Sequence, residues 1–234
     1  EPLRAQTLEA GAPPDLKESF YLGIDLPEDH PSVKAGKFNH GPNQWPEDLP
    51  DFRRVTTAYF GALYELGGIM MRGLALSLDL PENHFDDFLD DATANLRLLH
   101  YPPQPVIAQP DEKGCGAHTD FGALTFLLQD DSGGLQVQPA NTGKWSDAPP
   151  IAGTYVVNIG DLIERWTNGR YKSTLHRVIN RSGHERHSVP FFFTGNYDTV
   201  VECIPTCLKE GEEPKHAPIT VEQHLMDCYK RTYG

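Results

Sequence analysis

A histidine and an aspartate two residues apart can bring an imidazole and a carboxylate to one point, and this chain carries that triplet twice. One copy is His84-Phe85-Asp86, the other His118-Thr119-Asp120. On a β-strand, residues i and i+2 face the same way, so such a pair converges. A second histidine from another strand would complete a 2-His-1-carboxylate triad, the donor set that leaves open positions on Fe(II). The stretch Glu82 to Asp90 reads as a short acidic helix, where residues two apart diverge. The His84 triplet is therefore expected to be a decoy. The His118 triplet follows Gly114-Cys115-Gly116 at the mouth of an apolar run and has the better setting.

The chain has ten histidines from which the third ligand could come. His30, His40, His184 and His216 fall in turn-like or charged contexts, and His224 in a helical pattern. His176, in Ser173-Thr174-Leu175-His176-Arg177-Val178, has alternating β-type neighbours and is the best placed; His100 and His187 stay as weaker rivals. Taken alone, a strand histidine reads as a hydrogen-bonded core residue. Ten residues after His176 comes Arg186-His187-Ser188. On a strand Arg186 and Ser188 share a face, and guanidinium plus hydroxyl makes a clamp for a carboxylate. The plainer reading is a surface arginine in a charged turn beside Arg181, His184 and Glu185.

Alternation also sorts the aromatic residues nearby. Phe192 falls on the Ser188 face, and Phe191 and Phe193 on the other. Phe192 and Phe121, which follows Asp120, are candidates to border a substrate pocket, and Arg97 lies on Tyr101's side of its strand. Gly133-Gly134 and Gly160-Asp161 read as turns whose glycines supply unusual backbone angles, and Asn168-Gly169 as a further turn.

These residues need elements to hold them. Residues 1–50 are irregular, with a short extended piece at Phe20 to Ile24. From Asp51 to about Leu80 the pattern is helical, with Val55, Tyr59, Leu63, Leu66, Met70 and Leu74 as the expected buried stripe. From Asn95 onward short strand-like runs dominate: Leu96 to Tyr101, Ala123 to Gln129, Gly134 to Gln138, Tyr155 to Ile159, Ser173 to Ile179 and Val189 to Thr194. Thr220 to Tyr233 reads as a helix capped by Thr220. The expected fold is mainly β with flanking α-helices around a double-stranded β-helix (jelly roll) core. Residues 1–94 would form an N-terminal helical and irregular region packed on the barrel, 95–219 the core, and 220–234 a C-terminal helix.

Composition narrows the function classes. The 234 residues are 38% hydrophobic and 23% charged, enough for a core and against wholesale disorder. Net charge is −13, with 33 acids against 20 bases, which argues against nucleic-acid and anionic-membrane partners. Cys115, Cys203, Cys207 and Cys228 form no CxxC pair and read as reduced thiols. No apolar run reaches the roughly 20 residues of a membrane span. Glu1-Pro2-Leu3-Arg4 is neither a signal peptide nor headed by Met. The expectation is a piece of a longer protein, cytoplasmic by default. The oligomeric state is not written in these features.

Together the motifs resemble the isopenicillin N synthase-like family of Fe(II)/2-oxoglutarate-dependent oxygenases. The matching order is His118-Thr119-Asp120, Gly133 to Val137, Val157-Asn158-Ile159-Gly160-Asp161, Trp166-Thr167-Asn168-Gly169, Ser173 to Val178 and Arg186-x-Ser188. Asp15-Leu16-Lys17-Glu18 is also similar. The resemblance implies that His118, Asp120 and His176 hold iron, that Arg186 and Ser188 bind the distal carboxylate of 2-oxoglutarate, and that Tyr101 helps bind that cosubstrate. Where many plant members carry Asn, this chain has Leu99. The implied activity uses Fe(II), 2-oxoglutarate and O2 to oxidise, usually hydroxylate, a C–H bond of a small-molecule metabolite, with succinate as by-product. Rival readings are a 2-oxoglutarate-independent Fe(II) oxidase on the same fold, which also carries Arg-x-Ser, and a non-enzymatic jelly-roll ligand-binding protein. Leu98 to Pro102 and Gly133 to Val137 look like the pyrimidine (thymine) hydroxylases and related fungal oxygenases.

Overall fold

In the computed structural model, which describes residues 1–104 and 111–233, the expected short strands assemble into two main sheets. Residues 105–110 of the expected core and Gly234 of the expected terminal helix lie outside the described residues. The larger sheet contains β1 (Glu18–Leu22), β2 (Thr93–Tyr101), β4 (Leu124–Gln129), β7 (Val156–Ile159) and β9 (Arg186–Gly195), in the spatial order β1-β2-β9-β4-β7. The smaller contains β3 (Cys115–His118), β5 (Leu135–Gln138), β6 (Ser146–Asp147) and β8 (Leu175–Val178), in the order β3-β8-β5-β6. A two-stranded ribbon, β10 (Val200–Val201) with β11 (Ile219–Thr220), stands apart. The helices are α1 (Pro31–Lys34), α2 (Phe52–Ser77), α3 (Asp86–Leu89), α4 (Asp161–Trp166) and α5 (Val221–Tyr233). The architecture is the expected jelly roll with flanking helices. The strand β1 comes from the N-terminal region and pairs with β2, Phe20 opposite Leu98.

Period-two alternation gives the larger sheet one greasy face and one cavity face. Ala94, Leu96, Leu124, Phe126, Phe191 and Phe193 point to the helical side and are nearly or fully buried. Phe191 meets Phe60 edge-on at 5.1 Å, and Phe193 meets Tyr64 at 5.7 Å, both rings from α2. On the opposite face Asn95, Arg97, Leu99, Tyr101, Thr125, Leu127, Arg186, Ser188, Pro190 and Phe192 line an interior cavity. A second apolar cluster, Leu99, Tyr101, Cys115, Leu135 and Val178, joins the two sheets.

Three local expectations change. The buried stripe of α2 is Thr56, Leu63, Gly67, Met71 and Ala75, whereas Val55 and Met70 are exposed. The helix lies so close to the sheet that a Cβ on Gly67 would sit 2.6 Å from the Phe193 ring. Small residues mark the contact line, and a hydrophobicity pattern does not see them. The acidic segment Glu82 to Asp90 is helical only over Asp86–Leu89, with turns before it. Phe85 and Phe88 there are pinned against Trp166, with ring centroids 5.0 and 5.2 Å away. His84 is exposed in a turn, so its divergence from Asp86 is not a property of a helix. Finally, Gly133 and Gly134 do have φ of 73° and 86°, but Gly160 has an ordinary φ of −95°. What Gly160 supplies is space: an added Cβ would lie 2.1 Å from the Gly122 carbonyl oxygen.

The C-terminal helix starts as expected, with Thr220 Oγ1 accepting the Gln223 amide at 3.2 Å. Its Leu225 and Tyr229 reach the cavity.

Candidate active site

His118 is the last residue of β3, and its cross-strand partner on β8 is His176. The pairing of those two short strands brings the imidazoles together, with ring centroids 4.2 Å apart. Asp120 lies just beyond β3, so strand alternation does not aim it; the loop does. Its Oδ1 is 3.8 Å from His118 Nε2 and 3.7 Å from His176 Nε2. Among the described residues this is one of two groups whose donor atoms converge within 4.8 Å.

The surrounding hydrogen bonds leave the right atoms free. His118 Nδ1 donates to the Gly116 carbonyl at 2.8 Å, and His176 Nδ1 to the Thr174 carbonyl at 3.0 Å. Both Nε2 atoms therefore face Asp120, the arrangement in which an outer hydrogen bond at Nδ1 leaves Nε2 to ligate. Asp120 Oδ2 accepts from Asn158 Nδ2 at 2.8 Å. The Asp120 carbonyl accepts the Asp161 amide at 2.7 Å. The close approach that Gly160 permits sets the loop, and Asn158 sets the carboxylate.

Charge is distributed unevenly. Burial alone would raise the Asp120 carboxyl, but His176, His118, Asn158 and Thr125 together hold it below the ordinary range. Burial also opposes charge on His118, yet Cys115 and then Asp120 push it up to about 9. His176 is pushed down by burial and by His118 beside it. Imidazole ligates a dication only when neutral, so metal binding at these two histidines would compete with protons. Two neutral-nitrogen donors and one carboxylate, with the remaining directions open to a cavity, fit a facial Fe(II) site.

Arg186 is wholly buried, not a surface residue. Its Nε donates to the Gly133 carbonyl at 2.6 Å, its Nη1 to Ser188 Oγ at 3.2 Å and its Nη2 to Gln129 Oε1 at 2.9 Å. The guanidinium lies over the Tyr101 ring at 4.9 Å. All three hydrogen bonds end on neutral oxygens. A buried cation held this way retains attraction for an anion. Gln129, Ser188 and Tyr101 face Arg186 because the antiparallel register sets Tyr101 opposite Arg186 and Gln129 opposite Ser188. Leu99 lies opposite Ser188 and offers no donor.

Of the proposed substrate residues, Phe121, Phe192 and Arg97 all line the cavity. Phe121 meets Tyr229 edge-on at 5.4 Å, and its carbonyl accepts from His224 Nε2 at 3.0 Å, which ties α5 to the metal loop. Arg97 is engaged already, with an ion pair to Glu1 and bonds to Gln6 Oε1 at 3.0 Å and Ser19 Oγ at 3.0 Å. The two rival histidines, His100 and His187, are cross-strand partners on the opposite face of β2 and β9 and do not approach Asp120.

Sequence reasoning gave several supporting residues no role, although Asp15, Lys17 and Asn158 lie in segments that carry the family resemblance. Asp15 Oδ1 accepts the Gly116 amide at 2.8 Å, and Lys17 bridges Asp15 and Cys115 at 2.8 and 3.1 Å, all three buried. Asn158 and Gln129 were equally without a role. The available signal for Asn158 was a lone amide in the apolar strand Val156-Val157-Asn158-Ile159.

Comparisons with known proteins identify the family. The profile of the 2OG-Fe(II) oxygenase superfamily matches residues 92–195. A 2-oxoglutarate-Fe(II) type oxidoreductase of Emericella nidulans is 51% identical over 240 residues, spanning all of this chain and 68% of that protein. A 2-oxoglutarate-dependent dioxygenase of Monascus ruber is 42% identical, over all of this chain and 73% of that one. Among solved structures, full-length Neurospora crassa T7H in complex with alpha-KG and thymine superposes with a TM-score of 0.84 at 33% identity, covering 100% of this chain and 73% of that one. The chain belongs to the 2OG-Fe(II) oxygenase superfamily. It is a non-haem Fe(II)/2-oxoglutarate-dependent dioxygenase that acts on a small metabolite, with Fe(II), 2-oxoglutarate and O2 as its cofactor and cosubstrates.

Proposed function

We propose that His118, Asp120 and His176 hold the iron of this oxygenase, and that Arg186, Ser188 and Tyr101 receive the distal carboxylate of 2-oxoglutarate. The observation that carries the reading is Arg186, a fully buried guanidinium bonded to neutral acceptors and lining the same cavity as the three converging donors. When bound, iron and cosubstrate supply the oxidising power that converts a substrate C–H bond while 2-oxoglutarate becomes succinate and carbon dioxide. The protein's own part is positional. The Gly116 and Thr174 carbonyls orient the two imidazoles, and Asn158 fixes Asp120. Arg186 presents a planar fork that a carboxylate can meet with two parallel hydrogen bonds. Leu127, Leu135, Val137 and Val156 line the cavity with apolar surface that keeps water from the reacting centre.

Phe121, Phe192 and Arg97 border the substrate side. With Arg97 committed to Glu1, Gln6 and Ser19, the lining favours a small, fairly neutral metabolite. The thymine in the Neurospora crassa T7H structure is a molecule of that kind. In this reading residues 1–94 brace the barrel, 95–219 carry the site and 220–234 close one side. The excess of 33 acids over 20 bases supports the absence of nucleic-acid and anionic-membrane partners. No helix among the described residues is long and apolar enough to cross a membrane. The four free cysteines support a reducing, cytoplasmic compartment.

The test is turnover of a library of small neutral metabolites with Fe(II) and 2-oxoglutarate, read as succinate release, beside Asp120→Ala. Substrate-stimulated succinate that Asp120→Ala abolishes is the expected result. Undiminished turnover by a folded Asp120→Ala protein would remove the iron assignment.

A further inference from the structure

On the face of the larger sheet opposite the cavity, β2 and β9 carry a second convergence of metal-ligating side chains. His100 and His187 are direct cross-strand partners. Their rings stack with centroids 5.0 Å apart and planes within 21°. Glu185, one residue before β9, brings Oε2 to 3.9 Å from His100 Nε2. One donor atom from each of the three lies within 4.8 Å of the others, the same criterion the His118 group meets.

We propose that His100, His187 and Glu185 form a surface site for a late first-row divalent cation of the Zn(II) class, which staples β2 to β9. Two imidazoles and one carboxylate suit Zn(II), Cu(II) and Ni(II), whereas Mg(II) and Ca(II) want oxygen donors. Each ring also has a carboxylate at its Nδ1. Glu18 Oε1 is 2.8 Å from His100 Nδ1, and Asp130 Oδ2 is 3.8 Å from His187 Nδ1. Glu18 holds the His100 Nδ1 proton and leaves its Nε2 to ligate, the outer arrangement of many zinc histidines, while Asp130 Oδ2 accepts the His187 backbone amide and stands near the second ring. With Zn–N and Zn–O bonds of about 2.0–2.2 Å, tetrahedral ligands stand roughly 3.3 Å apart. Closing from the present separations needs only side-chain rotation, because Glu185 and His187 are 65% and 62% exposed and imidazole χ2 wells are broad.

The position gives the staple a consequence. The residues on either side of these two, Leu99, Tyr101, Arg186 and Ser188, face inward and line the cavity. A cation across His100 and His187 therefore fixes the spacing of the two strands that present the carboxylate clamp. The surface site stands on the surface geometry alone, and only the count of a second Zn(II) in the test rests on the triad assigned inside the cavity.

Zn(II) is titrated calorimetrically into the metal-free chain, with far-UV circular dichroism checking each variant's fold. The expected stoichiometry is two per chain for the unaltered protein, one for Asp120→Ala, one for His187→Ala and none for the double variant. Glu18→Gln should keep the stoichiometry and weaken the surface site about tenfold, the lower end for loss of an outer partner. If Asp120→Ala does not fold, His176→Ala isolates the surface site; if His187→Ala does not, Glu185→Gln tests the same site through its weakened binding. A single Zn(II) per unaltered chain, lost in Asp120→Ala and unaffected by His187→Ala, overturns the proposal.

Discussion

Replacing Arg186 separates cosubstrate binding from substrate binding most directly. Its side chain is wholly buried and makes three hydrogen bonds, all to neutral oxygens, beneath the Tyr101 ring. Arg186→Ala removes a buried positive charge from the cavity wall and leaves the Gly133 carbonyl and Gln129 Oε1 without that donor. Truncating one partner of a buried, hydrogen-bonded charge pair costs about 2–5 kcal/mol of binding, a factor of roughly 30 to 5,000 in affinity. Arg186→Lys keeps the charge but loses the fork and the stacking plane, so an intermediate loss is expected. Ser188→Ala removes one neutral hydroxyl that shares its bond with Arg186, for about 1 kcal/mol, or roughly fivefold. The assay is anaerobic calorimetric titration of 2-oxoglutarate into Fe(II)-loaded protein, followed by succinate release at saturating primary substrate. Orphaned buried acceptors also lower stability by about 1–3 kcal/mol each, so titrations are run well below each variant's melting temperature. The expected ranking is Arg186→Ala worst, Arg186→Lys intermediate and Ser188→Ala mildest. If Arg186→Ala bound 2-oxoglutarate normally and raised only the requirement for primary substrate, the carboxylate at that position would belong to the substrate. The clamp assignment would then fail even with the metal site intact.

Further outcomes concern the metal site and its frame. His176→Ala should abolish iron-dependent turnover in a folded protein while His84→Ala, exposed in its turn, leaves iron affinity unchanged; a tenfold loss in His84→Ala would mean the wrong triplet was chosen. Asn158→Ala frees Asp120 Oδ2 and should weaken iron binding about 10- to 100-fold, measured by competition with a chelator of known affinity; an unchanged constant would show that Asp120 is held without it. Gly160→Ala places a methyl 2.1 Å from the Gly122 carbonyl oxygen and should lower stability by about 1–3 kcal/mol or more, read as a lower urea midpoint. A midpoint equal to that of the unaltered protein would refute the close-approach account of that glycine.

Much of the fold was legible because short alternating runs between turn residues carry a period of two in the order of residue types itself. The strands that became β2, β4, β5, β7, β8 and β9 were all anticipated within a few residues, as was the Thr220-capped helix. The α2 stripe was partly misjudged: Leu63 is buried and Tyr59, Leu66 and Leu74 pack against the core, but Val55 and Met70 are exposed, and the helix meets the sheet at Gly67, whose smallness is invisible to a hydrophobic count. The short acidic helix shrank to one turn because Phe85 and Phe88 anchor it to Trp166, a partner far away in the chain.

The candidate site divides along the same line. Residue types and local spacing made His118, Asp120, His176, Arg186 and Ser188 candidates, and only the resemblance of several ordered motifs to a known family gave them roles. The tertiary structure alone decided which histidine joins the triplet, because β3 pairs with β8 in the register that sets His118 opposite His176, while His100 and His187 meet on the outer face. It also decided that Asp120 is aimed by a loop and by Asn158 rather than by a strand. Nothing in the sequence distinguishes a surface arginine from Arg186, whose charge is buried among neutral oxygens. Burial and cross-strand register are contacts between distant parts of the chain, and no local pattern encodes them.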